Sequence, residues 1–195
     1  MSGHFSRIAY TPGVRAMQRR YNGREVPAGG NDVPELGPHE RQFVAARDSF
    51  YLATISATGW PHVQHRGGAP GFLKVLDALT LAFADYAGNR QFVSVGNLHD
   101  HPRAALILMD YPNRRRLKIL GTVDVLDAAD DPVLRAAVSA PGEPAAERIM
   151  LLHVAAFDWN CSQHITPRYS ERELAEHGLA LTESHPSQGE QHETV

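Results

Sequence analysis

From Phe50 onward the apolar positions of this chain come in short runs or alternate with polar ones, the spacing of strands rather than of long helices. Phe50 to Ser56 is rich in aromatic and β-branched residues. The Thr58-Gly59 turn leads from it into Trp60 to Arg66, a β-hairpin pattern. Gly67 to Gly71 interrupts the pairing. Phe72 to Leu76 and Thr80 to Ala84 then predict a second hairpin across Asp77-Ala78-Leu79. Phe83 to Met109 reads as a strand, a polar loop, a short helix and another strand, Ala104 to Met109 being the last. Arg114 to Leu126 alternates for most of its length, as one long strand curved at Gly121 would. Arg148 to Trp159 is a further strand.

Helical signals sit between and around these runs. Pro38 opens a helix reaching about Asp48, with Glu40 near its positive end. Pro132 stands in the first turn of a helix over Asp130 to Ala140, and Ser170 with Glu173 forms a capping-box pattern for a last helix ending near Glu176. Residues 1–37 are rich in Gly and Pro and show no persistent apolar face. They are expected to form an extended arm with one helical turn near Val14 to Tyr21. Thr182 to Val195 is polar and lacks aromatics, and is expected to be disordered.

Strands joined mostly by turns, with helices inserted irregularly, argue for a mainly β protein: an antiparallel sheet closed or nearly closed into a barrel, with peripheral α-helices. A doubly wound α/β fold would need a helix after most strands. Three segments follow: an N-terminal arm (1–37), the barrel domain (38–169), and a C-terminal helix with its tail (170–195).

With 195 residues the chain can bury one substantial core. Its net charge of -3 recruits neither nucleic acid nor an anionic membrane, and no apolar run is long enough to span one. One cysteine, Cys161, excludes an internal disulfide and, with no secretory signal, fits a cytoplasmic location. Eleven histidines raise the question of metal, yet no HExxH or paired-cysteine pattern supports a site; His62 and His65 fall on opposite faces of a strand, and His99 and His101 flank Asp100 alone. Arg114-Arg115-Arg116 reads as a solvated hairpin turn. Neither GxSxG nor GxGxxG is present.

The most suggestive chemistry lies at Ala87-Gly88-Asn89-Arg90-Gln91, where a strand gives way to a helix. Backbone N–H groups, a guanidinium and two amides converge there, as a phosphate site requires. The plainer alternative is an ordinary connection whose Arg lies in solvent.

Four blocks, in this order, carry a specific resemblance: Leu52 to Ser56 with Gly59 to Val63; Gln64 to Phe72; Gly88 to Gln91 with Asn97-Leu98 and Pro102 to Ala104; and Asp158 to Arg168. Together they resemble the pyridoxamine 5'-phosphate oxidase-like family of FMN-binding split β-barrels. The resemblance implies a homodimer with FMN between subunits. It assigns Arg66, Asn89, Arg90 and Gln91 to the phosphate and ribityl chain. Gln64, His65 and Gly67 fall on the strand beside the flavin ring, with Lys74 and Val75 on the next strand, and Trp159, Asn160 and Gln163 in a segment that reaches the flavin, from either subunit. His65 is the candidate proton donor, and Arg116 and Lys118 share a strand face that could reach FMN across the dimer.

The implied activity is an FMN-dependent oxidoreductase taking hydride from reduced nicotinamide (NADH or NADPH) or a small amine-like substrate. The alternatives within the fold are a non-enzymatic flavin or haem binding protein and a deazaflavin-dependent reductase. Two departures stand out: Ser162 follows Cys161 where relatives often carry proline, and the basic, aromatic C-terminal segment of true pyridoxamine 5'-phosphate oxidases is missing, which argues against vitamin B6 synthesis.

Overall fold

The computed structural model describes residues 2–30, 34–140, 142–159 and 162–176. Thr182 to Val195, expected to be disordered, lies outside them, as do Asn160 and Cys161. In chain order the elements are α1 (Gly3–Ala9), α2 (Pro12–Asn22), α3 (Pro38–Ala45), β1 (Ser49–Ile55), β2 (Pro61–Gly67), β3 (Lys74–Val75), β4 (Thr80–Asp85), α4 (Val93–Asp100), β5 (Arg103–Asp110), β6 (Arg115–Asp127), α5 (Pro132–Val138), β7 (Arg148–Trp159) and α6 (Glu171–Glu176). The strands form one antiparallel sheet in the order β2-β1-β5-β6-β7-β4-β3. The second hairpin is shorter than its sequence run, with only two residues of β3 paired to β4.

This sheet rolls up on itself. Four strands lie between β2 and β4 in the sheet order, yet Arg66 Nη1 of β2 donates to Asp85 Oδ1 of β4 at 2.7 Å. Phe50 of β1 likewise meets the ring of Phe83 of β4 edge-on, with centroids 5.2 Å apart. The architecture is therefore a barrel split along the line where β2 faces β4, bridged by side chains instead of ladder hydrogen bonds. Its interior is filled by every second residue of the strands, among them Leu52, Leu81, Leu106, Leu108, Leu117, Ile119, Met150 and Leu152. A smaller apolar cluster forms where Val138 of α5 joins Ala82, Ala128, Ala146 and Ile149.

One detail helps the roll. The β6–β7 register slips between Leu120 and Gly121, and any Cβ at Gly121 would run into the His153 carbonyl, so the bend needs glycine. Beyond β7, Ser170 and Glu173 exchange the capping-box hydrogen bonds that start α6, as their spacing predicts.

The N-terminal segment departs from expectation. Two helices stand where an extended arm with one helical turn near Val14 to Tyr21 was expected; that turn falls within α2, and α1 was not foreseen. Thr11 caps α2 by accepting from Val14 N–H, Pro12 opens its first turn, and Gly23 closes it at φ 70°. α1 lies against β7: Ser2 Oγ donates to the Phe157 carbonyl, Ser2 N–H donates to Asp158 Oδ1 at 3.1 Å, and His4 and Phe5 are buried. The seven-residue α1 is too short to show an amphipathic period, which is why only packing reveals it.

Candidate functional site

The inward face of β2 is polar where the other strands are apolar. His62, Gln64 and Arg66 fall two residues apart on it, opposite Thr54, Leu52 and Phe50 of β1. Across the split, β4 runs Leu81, Phe83, Asp85 along its inward face, so a carboxylate ends an apolar series at the barrel mouth. Between these strands lies a cleft of about 370 Å³, within the usual range for a small-molecule site. His62, Gln64 and Arg66 form one wall, Asp85 and Arg148 the base, and the loop from Tyr86 to Phe92 with the start of α4 the other wall.

Asp85 organises the base. Its side chain is only 4 % exposed; Oδ1 accepts from Arg66 Nη1 at 2.7 Å and Oδ2 from Arg148 Nε at 2.8 Å. Arg148 also donates to the Tyr86 carbonyl at 3.3 Å and to Glu147 Oε2 at 3.0 Å. Burial alone would lower the pKa of Arg148; the hydrogen bonds and charges of Asp85 and Glu147 outweigh it and leave it raised. Burial, helped by the charge of Glu143, pushes the Tyr86 phenol up, so it stays neutral.

The loop is held in an uncommon shape. Gly88, Arg90 and Phe92 adopt φ of 50°, 59° and 52°, and the last two are non-glycine residues in the left-handed region. Asn89 Oδ1 accepts from Gln91 N–H at 3.2 Å, fixing the turn. Phe92 precedes α4 without capping it by a side chain, so the helix begins with unclaimed N–H groups beside the cleft. Ser94 in its first turn donates to Gln64 Oε1 at 2.9 Å, and Asn97 donates to the buried Thr54 at 3.0 Å, joining α4 to the β1–β2 hairpin.

Five of the residues singled out from sequence, Gln64, Arg66, Asn89, Arg90 and Gln91, line this one cleft. The others do not. His65, between Gln64 and Arg66, points to the outer face, where its ring meets Tyr51 at 5.6 Å; strand parity excludes it from the cleft of its own protomer. Gly67 borders a separate space of about 20 Å³ behind Tyr86. Lys74 and Val75 sit on β3 at the far edge of the sheet, with Val75 packed on the core. Trp159 ends β7, eleven residues and about 35 Å of strand from Arg148. Gln163 is exposed in the segment after β7, and Asn160 lies outside the described residues. Lys118 Nζ stands 4.4 Å over the Phe5 ring, covered by α1.

Asp85, Arg148, Tyr86, Ser94 and His62 are the polar cleft residues that the sequence reading did not single out for it. Asp85 and Arg148 become neighbours only through the β4–β7 register. His62 and Ser94 carried a usable signal: the first shares parity with Gln64 and Arg66, and the second opens the predicted helix.

The site suits a phosphate-bearing ligand. Three guanidinium groups, of Arg66, Arg90 and Arg148, face two carboxylates, Asp85 and Glu147. Arg66 Nε is enclosed and has no hydrogen-bond partner, a donor still to be satisfied. Among the described residues no group of three or more His, Cys, Asp or Glu could hold a metal ion, and no helix is long and apolar enough to cross a membrane.

Comparison with known proteins agrees with this architecture. HupZ of Group A Streptococcus superposes with a TM-score of 0.53 at 12% identity, covering 68% of this chain and 98% of that one. A Lactobacillus delbrueckii protein described only as a candidate pyridoxamine 5'-phosphate oxidase superposes with a TM-score of 0.51 at 22% identity, covering 66% and 97%. At these identities the likeness is one of fold. No curated protein sequence matches the chain. The sequence profile described as pyridoxamine 5'-phosphate oxidase, however, matches residues 36–160, well over half of the chain and all of the barrel from the segment before α3 to the end of β7. The protein is thus a member of the pyridoxamine 5'-phosphate oxidase family, built as a split antiparallel β-barrel.

Proposed function

We propose that the protein is an FMN-binding oxidoreductase whose cofactor phosphate is held at the Arg66–Arg90 end of the cleft. The observation that carries this reading is the enclosed, unpartnered Nε of Arg66 beside a left-handed loop and an uncapped helix start. Charge-assisted donors of this kind are what a nearly dianionic phosphate requires. Bound FMN would supply a ring that accepts hydride from a reduced nicotinamide or a small amine-like substrate and passes the electrons to oxygen or another acceptor.

The chain's own residues do the positioning. Asp85 fixes the planes of Arg66 and Arg148 before a ligand arrives, so little side-chain freedom is lost on binding. Ser94 donates to Gln64 Oε1 and so holds the Gln64 side chain in the cleft wall. Tyr86, kept neutral, closes the inner end without adding negative charge.

A second copy of the chain is the proposed cover. The outer face of the β1–β2 hairpin exposes Tyr51, Ile55 and Val63, with Trp60 in its turn at 76% exposure, an apolar strip that supports a homodimer closing the cleft from outside. In that dimer the segment around Gln163 and the outward-facing His65 serve the partner's cleft.

Reconstitution tests the reading directly. Protein mixed with FMN and passed over a desalting column is expected to retain the visible flavin absorption at about one equivalent per chain, and mixing with NADPH or NADH to bleach it faster than free FMN. Protein that emerges colourless overturns the proposal.

A further inference from the structure

The barrel leaves α2 uncovered, and none of its residues is buried. Among the described residues its side chains bond only within the arm: Arg15 and Arg19 both reach Glu25, Arg15 Nε donates to the Tyr10 carbonyl, and Gln18 Oε1 accepts from Val26 N–H. These bonds turn the Arg15–Arg19 side of the helix toward residues 25 and 26. At about 100° per residue, Val14, Met17 and Tyr21 fall together on a side turned away from it. All three are exposed, Met17 by 47% and Tyr21 by 74%. A helix as short as this is marginal in water on its own, so an apolar stripe along it calls for a cover.

One open groove has the matching chemistry. It lies where the end of β6 leads into α5, measures about 600 Å³, and has Val125, Leu126, Ala129 and Ala146 as its apolar lining and Asp127 and Glu147 as its acids. Of its two cations, Arg148 is already paired with Asp85 and Glu147, and only Arg135 stands against the carboxylates. The wider charge pattern is lopsided in the same sense. From Asp127 to Glu147 the chain carries five carboxylates and one arginine, whereas from Arg15 to Arg24 it carries four arginines and no carboxylate. Glu25 engages Arg15 and Arg19, which leaves Arg20, folded over the Tyr21 ring, and Arg24, with no ion-pair partner among the described residues. Within one protomer the two surfaces do not meet, since the stripe is exposed and the groove stands open.

We propose that α2 of one protomer docks in the β6–α5 groove of a second copy of this chain. Val14, Met17 and Tyr21 lie against the apolar lining, and Arg20 and Arg24 meet the carboxylates around it. Exchange in both directions gives a two-fold dimer in which the same contact forms twice. This contact is separate from the cover proposed for the β1–β2 strip, and it needs no flavin. It also brings arginines of the second copy beside Glu147, the residue that pairs with Arg90 and Arg148 at the cleft. An anionic lipid surface would attract the same arginines, yet it would leave the acidic groove without an occupant.

Disulfide trapping between copies of different size tests the proposal. In a Cys161→Ser background, one chain carries Met17→Cys and a co-expressed chain with a longer tag carries Ala129→Cys, so only a contact between copies can join the two. Mild oxidation is expected to give the mixed covalent dimer on a non-reducing gel. An Asn22→Cys chain, exposed but off the stripe, is expected to give little of it. Reversing charge with Arg20→Glu and Arg24→Glu is expected to remove most of the trapping at low salt. Thermal unfolding checks each variant, and Tyr21→Cys takes the place of Met17→Cys if the latter does not fold. Trapping no better than that of Asn22→Cys overturns the proposal, and so does trapping that charge reversal leaves unchanged. Sedimentation of the wild-type protein with phosphatidylglycerol vesicles, lost in Tyr21→Glu, would give the stripe to a membrane and overturn it as well.

Discussion

The two ends of the split barrel use polar side chains in opposite ways. At the end where β7 finishes, Trp159 Nε1 donates to Glu40 Oε1 at 2.8 Å, and its ring packs on Phe43 and His39 with centroids 4.7 Å away. Arg115 lies over Trp159 and Phe43 and also reaches His39. Glu40 uses its second oxygen to accept from Gly37 N–H at 3.1 Å at the start of α3. Each of these groups has a partner in the chain, although Arg116 Nε on the neighbouring strand is enclosed without one and Arg114 beside it holds φ 52°. Where β7 begins, at the cleft, Arg66 and His62 each keep an enclosed nitrogen without one, and the loop beside them holds two non-glycine residues in a left-handed conformation. A fold gains nothing in stability from such unsatisfied and strained groups. What sets the cleft end apart is that there such groups line a space of about 370 Å³, which Arg114 and Arg116 do not border, so a ligand arriving from outside can use them.

The largest expected effect tests whether the cleft base is structural as well as functional. Asp85→Ala leaves two guanidinium groups facing each other in a half-buried space, and breaking a buried ion pair from one side costs about 3–5 kcal/mol. Urea unfolding is expected to show a loss of that size. A change below about 1 kcal/mol would mean that solvent or a shift of Arg148 replaces the carboxylate, and that the base is not preorganised.

Arg66→Ala comes next. Asp85 retains Arg148, so stability should change little in comparison, while FMN affinity falls by about 1.5–3 kcal/mol, the worth of a charge-assisted hydrogen bond. Fluorescence titration measures it. An equal loss for riboflavin, which lacks the phosphate, would move the phosphate away from Arg66.

At the opposite end of β7, Trp159→Phe keeps an aromatic ring on Phe43 and removes the donor to Glu40. The expected cost is about 1–2 kcal/mol of stability with flavin affinity unchanged. Acidity sharpens the point. Burial works to raise the Glu40 pKa, but the Trp159 N–H and the other hydrogen bonds prevail and leave it lowered. A lowered folded-state pKa contributes stability that is present above the ordinary carboxylate range and is lost as pH falls through the folded value. The gap between wild type and Trp159→Phe should therefore narrow on acidification. A loss of flavin affinity instead would show that Trp159 serves the partner's cleft in a dimer.

How much of this was legible in the sequence follows from how far apart the cooperating residues lie. Both hairpin turns, the long curved strand at Gly121 and the cleft loop at Asn89-Arg90-Gln91 depend on neighbours in the chain, and local pattern suffices to find them. α2 was equally local, and a turn of it near Val14 to Tyr21 was expected; Thr11-Pro12 and Gly23, which mark its two ends, would have given its full length. Asp85 and Arg148 are 63 residues apart and meet only once β4 and β7 pair in register, so neither carries a local signature. His62 was a matter of parity. Gln64 and Arg66 already fixed which face of the strand looks inward, and extending that count by two residues reaches His62 and passes over His65.

The smallest expected effect concerns the residue that first drew attention to the loop. Arg90 is 69% exposed and pairs with Glu147 at 3.4 Å in the open, so its charge is shared with solvent and a carboxylate before any ligand binds. Arg90→Ala should alter stability by no more than about 0.5 kcal/mol, as exposed ion pairs do. It should weaken FMN by a factor of about three to five at low salt, and the deficit should shrink as ionic strength approaches about 0.5 M. Arg66→Ala, acting at an enclosed donor, should show a deficit that salt barely changes. Measuring both variants across a salt series therefore separates the two arginines by mechanism, one steering the phosphate from outside and the other fixing it within. A salt-insensitive loss in Arg90→Ala as large as that of Arg66→Ala would mean that the loop folds over the ligand and buries Arg90.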